Sequence, residues 1–191
     1  TDVDGIDTWH KVILSANVAF GISLDKTTVP VSGIRNISAA DVDCIKAHGK
    51  VCKLISTAKR TEDGFSAYVQ PTLVDAGSPE GAVPLNYNLI TFIGQTSERM
   101  SFYGQGAGRY PTAYNVVQDL VDVTQGKGFY APYGAPQAAD NQETHRYYVR
   151  GNWEGSIQED WSTGVVTAPV PVSQMHQWVK DHPDAFIAGV D

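Results

Sequence analysis

The first eleven residues, Thr1-Asp2-Val3-Asp4-Gly5-Ile6-Asp7-Thr8-Trp9-His10-Lys11, gather three carboxylates and an ammonium where a helix should begin. Asp7 and Lys11 are four apart, so at helical spacing they share one face. A lysine in a first helical turn meets the positive end of the helix dipole, which disfavours its charge by roughly 0.3–1 kcal/mol. Burial would add to that cost, while Asp7 and Asp2 would hold the ammonium oriented. Such a lysine suits general acid–base work: it gives a proton to a substrate oxygen and takes it back. The same spacing also describes a surface ion pair worth a few tenths of a kcal/mol. Spacing alone leaves both readings open.

A second group is the run Gly104-Gln105-Gly106-Ala107-Gly108, followed by Arg109, Tyr110 and Pro111. A dinucleotide fingerprint should close the first strand of a βαβ unit, with an acidic residue about 20 residues on. Here the run follows short strands of antiparallel pattern, its third glycine is out of place, and the acidic residue is missing. It reads as a tight turn into a helix, or as a place where the backbone approaches another group closely. Arg109 and Tyr110 read as surface. Trp153 and Trp161 flank a polar loop and read as cover for the tail. His10, His48, His145, His176 and His182 have no metal-ligand spacing. Cys44 and Cys52 form no CxxC pattern and read as packed thiols, so no metal site is expected.

The elements that must position these residues follow from periodicity and caps. Val12, Ile13, Ala16, Ala19 and Phe20 recur at helical spacing, which predicts a helix over 7–20 with Asp7 as its cap and Gly21 as its stop. Ser38 and Asp41 form a near capping box for a helix over 39–48, ended by Gly49. Residues 51–59 and 65–74 alternate around Glu62-Asp63-Gly64 and predict a hairpin. Residues 76–84 read as a loop. Short strands are expected at 89–93 and 100–103, then a helix from the glycine run with Pro111 in its first turn. After Thr124 a Gly/Pro/Tyr-rich stretch over 126–139 reads as a linker or irregular loop. A strand at 145–149, a capped helix over 173–181 and a strand at 185–190 complete the tail. The expected fold is α+β, a mixed or antiparallel sheet with helices packed on one face, plus a small α+β C-terminal appendage. The expected domains are residues 1–124 and 125–191.

Composition bounds the function. The 191 residues are 42% hydrophobic, enough for one sizeable core. No apolar run approaches the roughly 20 residues of a membrane span. Fourteen Lys and Arg against 21 Asp and Glu give a net charge of −7, a poor match to nucleic acid. No signal or transit pattern is legible, so a cytoplasmic protein is expected.

The pattern Asp-aliphatic-x-Gly-x-Asp-x-x-x-Lys, filled by Asp2, Val3, Gly5, Asp7 and Lys11, resembles the signature of the homoserine dehydrogenases. Residues 54–59 (LISTAK), 69–74 (VQPTLV), the Asn88 segment and 104–122 (GQGAGRYPTAYNVVQDLVD) resemble the same family. The resemblance spans residues 1 to about 124. It implies NAD- or NADP-dependent interconversion of L-homoserine and L-aspartate 4-semialdehyde, in the biosynthesis of threonine, methionine and isoleucine. It implies that Lys11 is the catalytic proton donor and acceptor. Asp7 then binds homoserine, and Asp2 supports the same site. The loop at Gly104, Gly106, Ala107 and Gly108 would lie near the nicotinamide. A homodimer is implied, paired through the sheet of this region.

The family's nucleotide-binding domain precedes the signature, and nothing like it is present here. The expectation is therefore a catalytic and dimerisation portion, inactive by itself. The tail compares with a regulatory ACT domain of βαββαβ order, but its middle is short, so a degenerate version is expected. A second reading, a non-catalytic amino-acid-binding regulatory module, would put function in the tail near Trp153 or His176.

Overall fold

The computed structural model describes residues 1–128 and 134–190. Helix α1 spans Ile6–Phe20, strand β1 Ser23–Leu24, helix α2 Ala39–Ala47, and strands β2 and β3 Lys50–Arg60 and Phe65–Asp75. Strands β4 (Tyr87–Gly94) and β5 (Glu98–Gln105) precede helix α3 (Arg109–Thr124). The tail carries β6 (Pro136–Gln137), β7 (Thr144–Arg150), β8 (Ile157–Asp160), β9 (Val165–Thr167) and β10 (Val170–Pro171). It ends with helix α4 (Val172–Asp181) and strand β11 (Phe186–Val190). The α+β expectation holds.

Two compact units are present, but they do not divide at residue 124. Thr1–Ala76 and Pro132–Asp191 form one, and Gly77–Ala131 the other. The tail is no appendage: its strands complete the main sheet, in the order β2-β3-β11-β7-β9-β8, with β10 on β7. β11 runs parallel to β3, pairing Gly189 with Thr72 and Val190 with Leu73, and antiparallel to β7. Nor does the tail show ACT order, since among the described residues five strands, β6 to β10, precede its helix α4.

Alternation along these strands assigns the faces. Val12 and Ala16 of α1 pack on Phe65, Ala67 and Val69. Cys44 and Ile45 of α2 pack on Leu73, Tyr148 and Phe186 of the same face. The expectation that the helices share one face fails at α4. Its Met175 packs on Tyr147, Val149 and Ile187, which point the other way. Covered from both sides, β3 is buried along Phe65–Val74. Trp161 belongs to the α2 side, stacked on His48 at 3.7 Å, and Trp153 packs on Trp178.

A polar row lies under α4. Tyr147 donates to Gln70 Oε1 at 3.3 Å, and His176 Nε2 lies 3.1 Å from the same oxygen. That oxygen only accepts, so Nε2 carries the proton and Nδ1 accepts from the Ser32 hydroxyl at 2.9 Å. Gly189 leaves room for the amide, because a Cβ there would lie 2.7 Å from Gln70 Nε2. Burial, aided by the Lys180 charge, pushes His176 down from 6.5 to about 4. Its neutral form therefore adds stability that is complete above pH 6.5 and is lost as pH falls toward 4. Glu143 follows at lower pH: hydrogen bonding to His145, with Ser66, Tyr68 and Lys59, holds it at about 2 instead of 4.5. Urea titrations should show stability falling below pH 6.5, by on the order of 3 kcal/mol across the histidine window. His176→Gln should flatten that segment and leave the carboxylate segment below pH 4.5.

Candidate active site

The acidic N-terminal turn is built by backbone hydrogen bonds and one glycine. Gly5 N–H donates to Asp2 O at 3.1 Å, and Ile6 N–H to Thr1 O at 2.9 Å. Gly5, at φ 77, is the N-cap of α1, and no side chain caps this end. This corrects the expectation for Asp7, which lies inside the first turn. Gly5 wins because the chain must enter the helix in a left-handed conformation against Val31 and Val69. The Trp9 indole N–H then ties α1 to Val29 O at 2.9 Å.

Lys11 is consequently the sixth helical residue, in the second turn and further from the dipole end than the sequence suggested. Its Nζ lies 2.7 Å from Asp7 Oδ2, with the two side chains 58% and 50% exposed. The expected burial of this lysine is not found. What the fold does supply is a paired ammonium and carboxylate on one open face, with the Asp2 turn at the start of the same helix. Leu14 and Val18, also exposed, continue that stripe along α1.

The turn is held from outside by the segment 31–35, for which local periodicity gave no signal. Ile34 N–H donates to Val3 O at 2.8 Å. Arg35 grips Asp4 with two bonds, Nε to Oδ1 at 2.9 Å and Nη2 to Oδ2 at 2.8 Å. Those bonds hold the Asp4 carboxyl below its ordinary range.

Gly104, Gly106, Ala107 and Gly108 belong to the second compact unit. Gly104 lies in β5 opposite Asn88 and the other three follow that strand of the antiparallel pair β4–β5, so they do not close a βαβ unit. Gly106 lacks a side chain for an internal reason: a Cβ would collide with the Asn88 amide. Gly108, at φ 136, is the N-cap of α3 without a side-chain cap, and Arg109 and Tyr110 are exposed. These residues do not amount to a dinucleotide site by themselves.

The family profile described as homoserine dehydrogenase matches residues 1–121. The Pseudomonas aeruginosa homoserine dehydrogenase is 40% identical over 124 residues, 65% of this chain and 29% of that protein. The Lactococcus lactis homoserine dehydrogenase is 33% identical over 172 residues, 85% of this chain and 39% of that protein. In fold, all of the chain superposes on 54% of a Thiobacillus denitrificans homoserine dehydrogenase, with a TM-score of 0.75 at 24% identity. The chain thus spans under two fifths of these curated relatives and about half of that solved structure. Nothing in these matches supports the regulatory-module alternative. With the signature turn, the Lys11–Asp7 pair and the fold in agreement, this chain belongs to the homoserine dehydrogenase family.

Proposed function

We propose that this chain supplies the substrate-binding and proton-transfer part of an NAD(P)-dependent homoserine dehydrogenase, with residues 1–124 as the catalytic and dimerisation region. The observation that carries this is the Lys11–Asp7 pair at 2.7 Å, set on α1 directly after the acidic turn. Lys11 donates a proton to the carbonyl oxygen of aspartate semialdehyde on reduction and recovers it from homoserine on oxidation. Asp7, four residues back on the same face, binds homoserine and keeps the ammonium turned toward it, with Asp2 supporting. The nicotinamide cofactor, NAD or NADP, supplies the hydride. The described residues hold no βαβ unit with a glycine-rich turn for it, so they are assigned no step of that transfer. The loop at Gly104–Gly108 is assigned to the nicotinamide end on the family resemblance, with the uncapped start of α3 in its favour. The reaction belongs to cytoplasmic amino-acid biosynthesis leading to threonine, methionine and isoleucine.

The test is nicotinamide reduction by the full-length gene product with L-homoserine, followed by detection of aspartate semialdehyde. Turnover with L-homoserine and none with L-serine, one methylene shorter, is the expected result. Absence of turnover with either cofactor removes the reading.

A homodimer is part of the proposal. A two-stranded hairpin such as β4–β5 is marginal alone. Its Ile90, Phe92, Met100 and Phe102 share one face and are all exposed in the single chain. Together they make an apolar surface of the kind that marks an interface. Phe92→Lys with Phe102→Lys should shift the mass in light scattering from dimer to monomer.

A further inference from the structure

The homoserine site depends on a turn that must be held in place, because Asp2 precedes α1 and lies in no helix or strand. The segment from Ser32 to Arg35 lies against that turn. Its inner end is pinned to the core: Ser32 N–H donates to Val69 O at 2.8 Å. The Ser32 hydroxyl donates to His176 on α4 at 2.9 Å. In its middle, Gly33 touches the turn so closely that a Cβ would lie 2.6 Å from Asp4 Cα. At its outer end Arg35 holds both oxygens of Asp4.

These contacts do little for global stability. Arg35 and Asp4 are 68% and 45% exposed, and an exposed pair contributes little to the stability of the fold. Their two parallel bonds nevertheless set a direction that one bond would not, since the guanidinium fork and the carboxylate are both planar. We infer that Arg35 is a positioning residue for the substrate site: through Asp4 it fixes the turn that carries Asp2 and starts the Asp7–Lys11 helix. This role rests on the site reading above. The other end of the same strap is anchored to α4 of the tail through His176.

The test is steady-state kinetics on the full-length enzyme, varying homoserine and cofactor separately. Arg35→Ala should raise the homoserine KM by about tenfold, leave the cofactor KM within about twofold, and keep kcat within about threefold. Its unfolding midpoint should stay within about 2 °C of wild type, as expected for an exposed pair. Asp4→Ala should give the same KM shift, and the double variant no more than either alone. Arg35→Lys, which offers a point charge instead of a fork, should recover only part of the loss. A KM shift in Arg35→Ala that Asp4→Ala does not reproduce would mean that Arg35 touches substrate itself, and overturns the positioning role. Unchanged KM in both variants overturns it too. Lys11→Ala, run alongside, separates the two ideas: if it inactivates while Arg35→Ala and Asp4→Ala are silent, only the strap's role is lost. If Lys11→Ala is fully active, the site reading fails and the strap's role with it.

Discussion

Asp41→Asn is expected to destabilise the protein by about 3 kcal/mol, because it removes the charge of a fully buried carboxylate from its pair with the partly exposed Arg150. Asp41 has no solvent exposure. Its carboxylate accepts from Arg150 Nε at 2.9 Å and from the Tyr148 hydroxyl at 2.7 Å. It also closes the capping box of α2 by accepting from Ser38 N–H at 2.8 Å. Arg150 in turn donates to Asn36 O at 2.6 Å. One carboxylate therefore joins the start of α2, strand β7 and the 36–38 segment. Those donors lower its affinity for a proton despite burial, which acts the other way. The Asn amide keeps the shape but exchanges one accepting oxygen for an N–H₂ group facing other donors, and leaves the Arg150 charge without its counterion. Urea denaturation should show the loss, with a thermal midpoint lower by roughly 10 °C. A change under 1 kcal/mol would mean that this hub does not hold the sheet to α2.

Lys11→Ala should behave in the opposite way. Its ion pair with Asp7 is half-exposed and is worth only a few tenths of a kcal/mol to the fold. The unfolding curve should hardly move. Catalysis should fall by about 10²- to 10⁴-fold in kcat/KM, the usual contribution of a positioned proton donor. Asp7→Asn should act mainly through the homoserine KM, since it removes a ligand and an orienting charge but leaves the donor. Loss of folded protein in Lys11→Ala would instead mark the residue as structural.

Much of the scaffold around this pair is legible locally. Ser38 and Asp41 announce α2 because a capping box is complete within four residues, and the structure forms both of its bonds. The β2–β3 hairpin is equally local, with an unbroken register from Lys50–Asp75 to Arg60–Phe65. Asp7 misleads because carboxylates are favoured N-caps, whereas the packing of Val31 and Val69 on Gly5 comes from distant parts of the chain. The tail misleads for the same reason. Its strands β7 and β11 read as strands, but their joining to β3 rests on pairs such as Gly189 with Thr72, which no local pattern encodes. Strands β8 and β9, of four and three residues, are too short to show a period. Within the site, the residue types of Asp2, Asp7 and Lys11 are visible in the sequence. Arg35 is not, since Gly33-Ile34-Arg35 has neither periodicity nor a motif to tie it to a turn thirty residues earlier.

The central claim is that the ammonium of Lys11 moves the proton of the reaction. Chemical rescue tests it most directly: homoserine turnover by full-length Lys11→Ala, measured without and with increasing concentrations of small primary amines. The account predicts negligible turnover alone and a rate that rises with amine concentration, as a free amine takes the vacated position and accepts the hydroxyl proton of homoserine. A Lys11→Ala enzyme that oxidises homoserine at the wild-type rate with no amine present would contradict it.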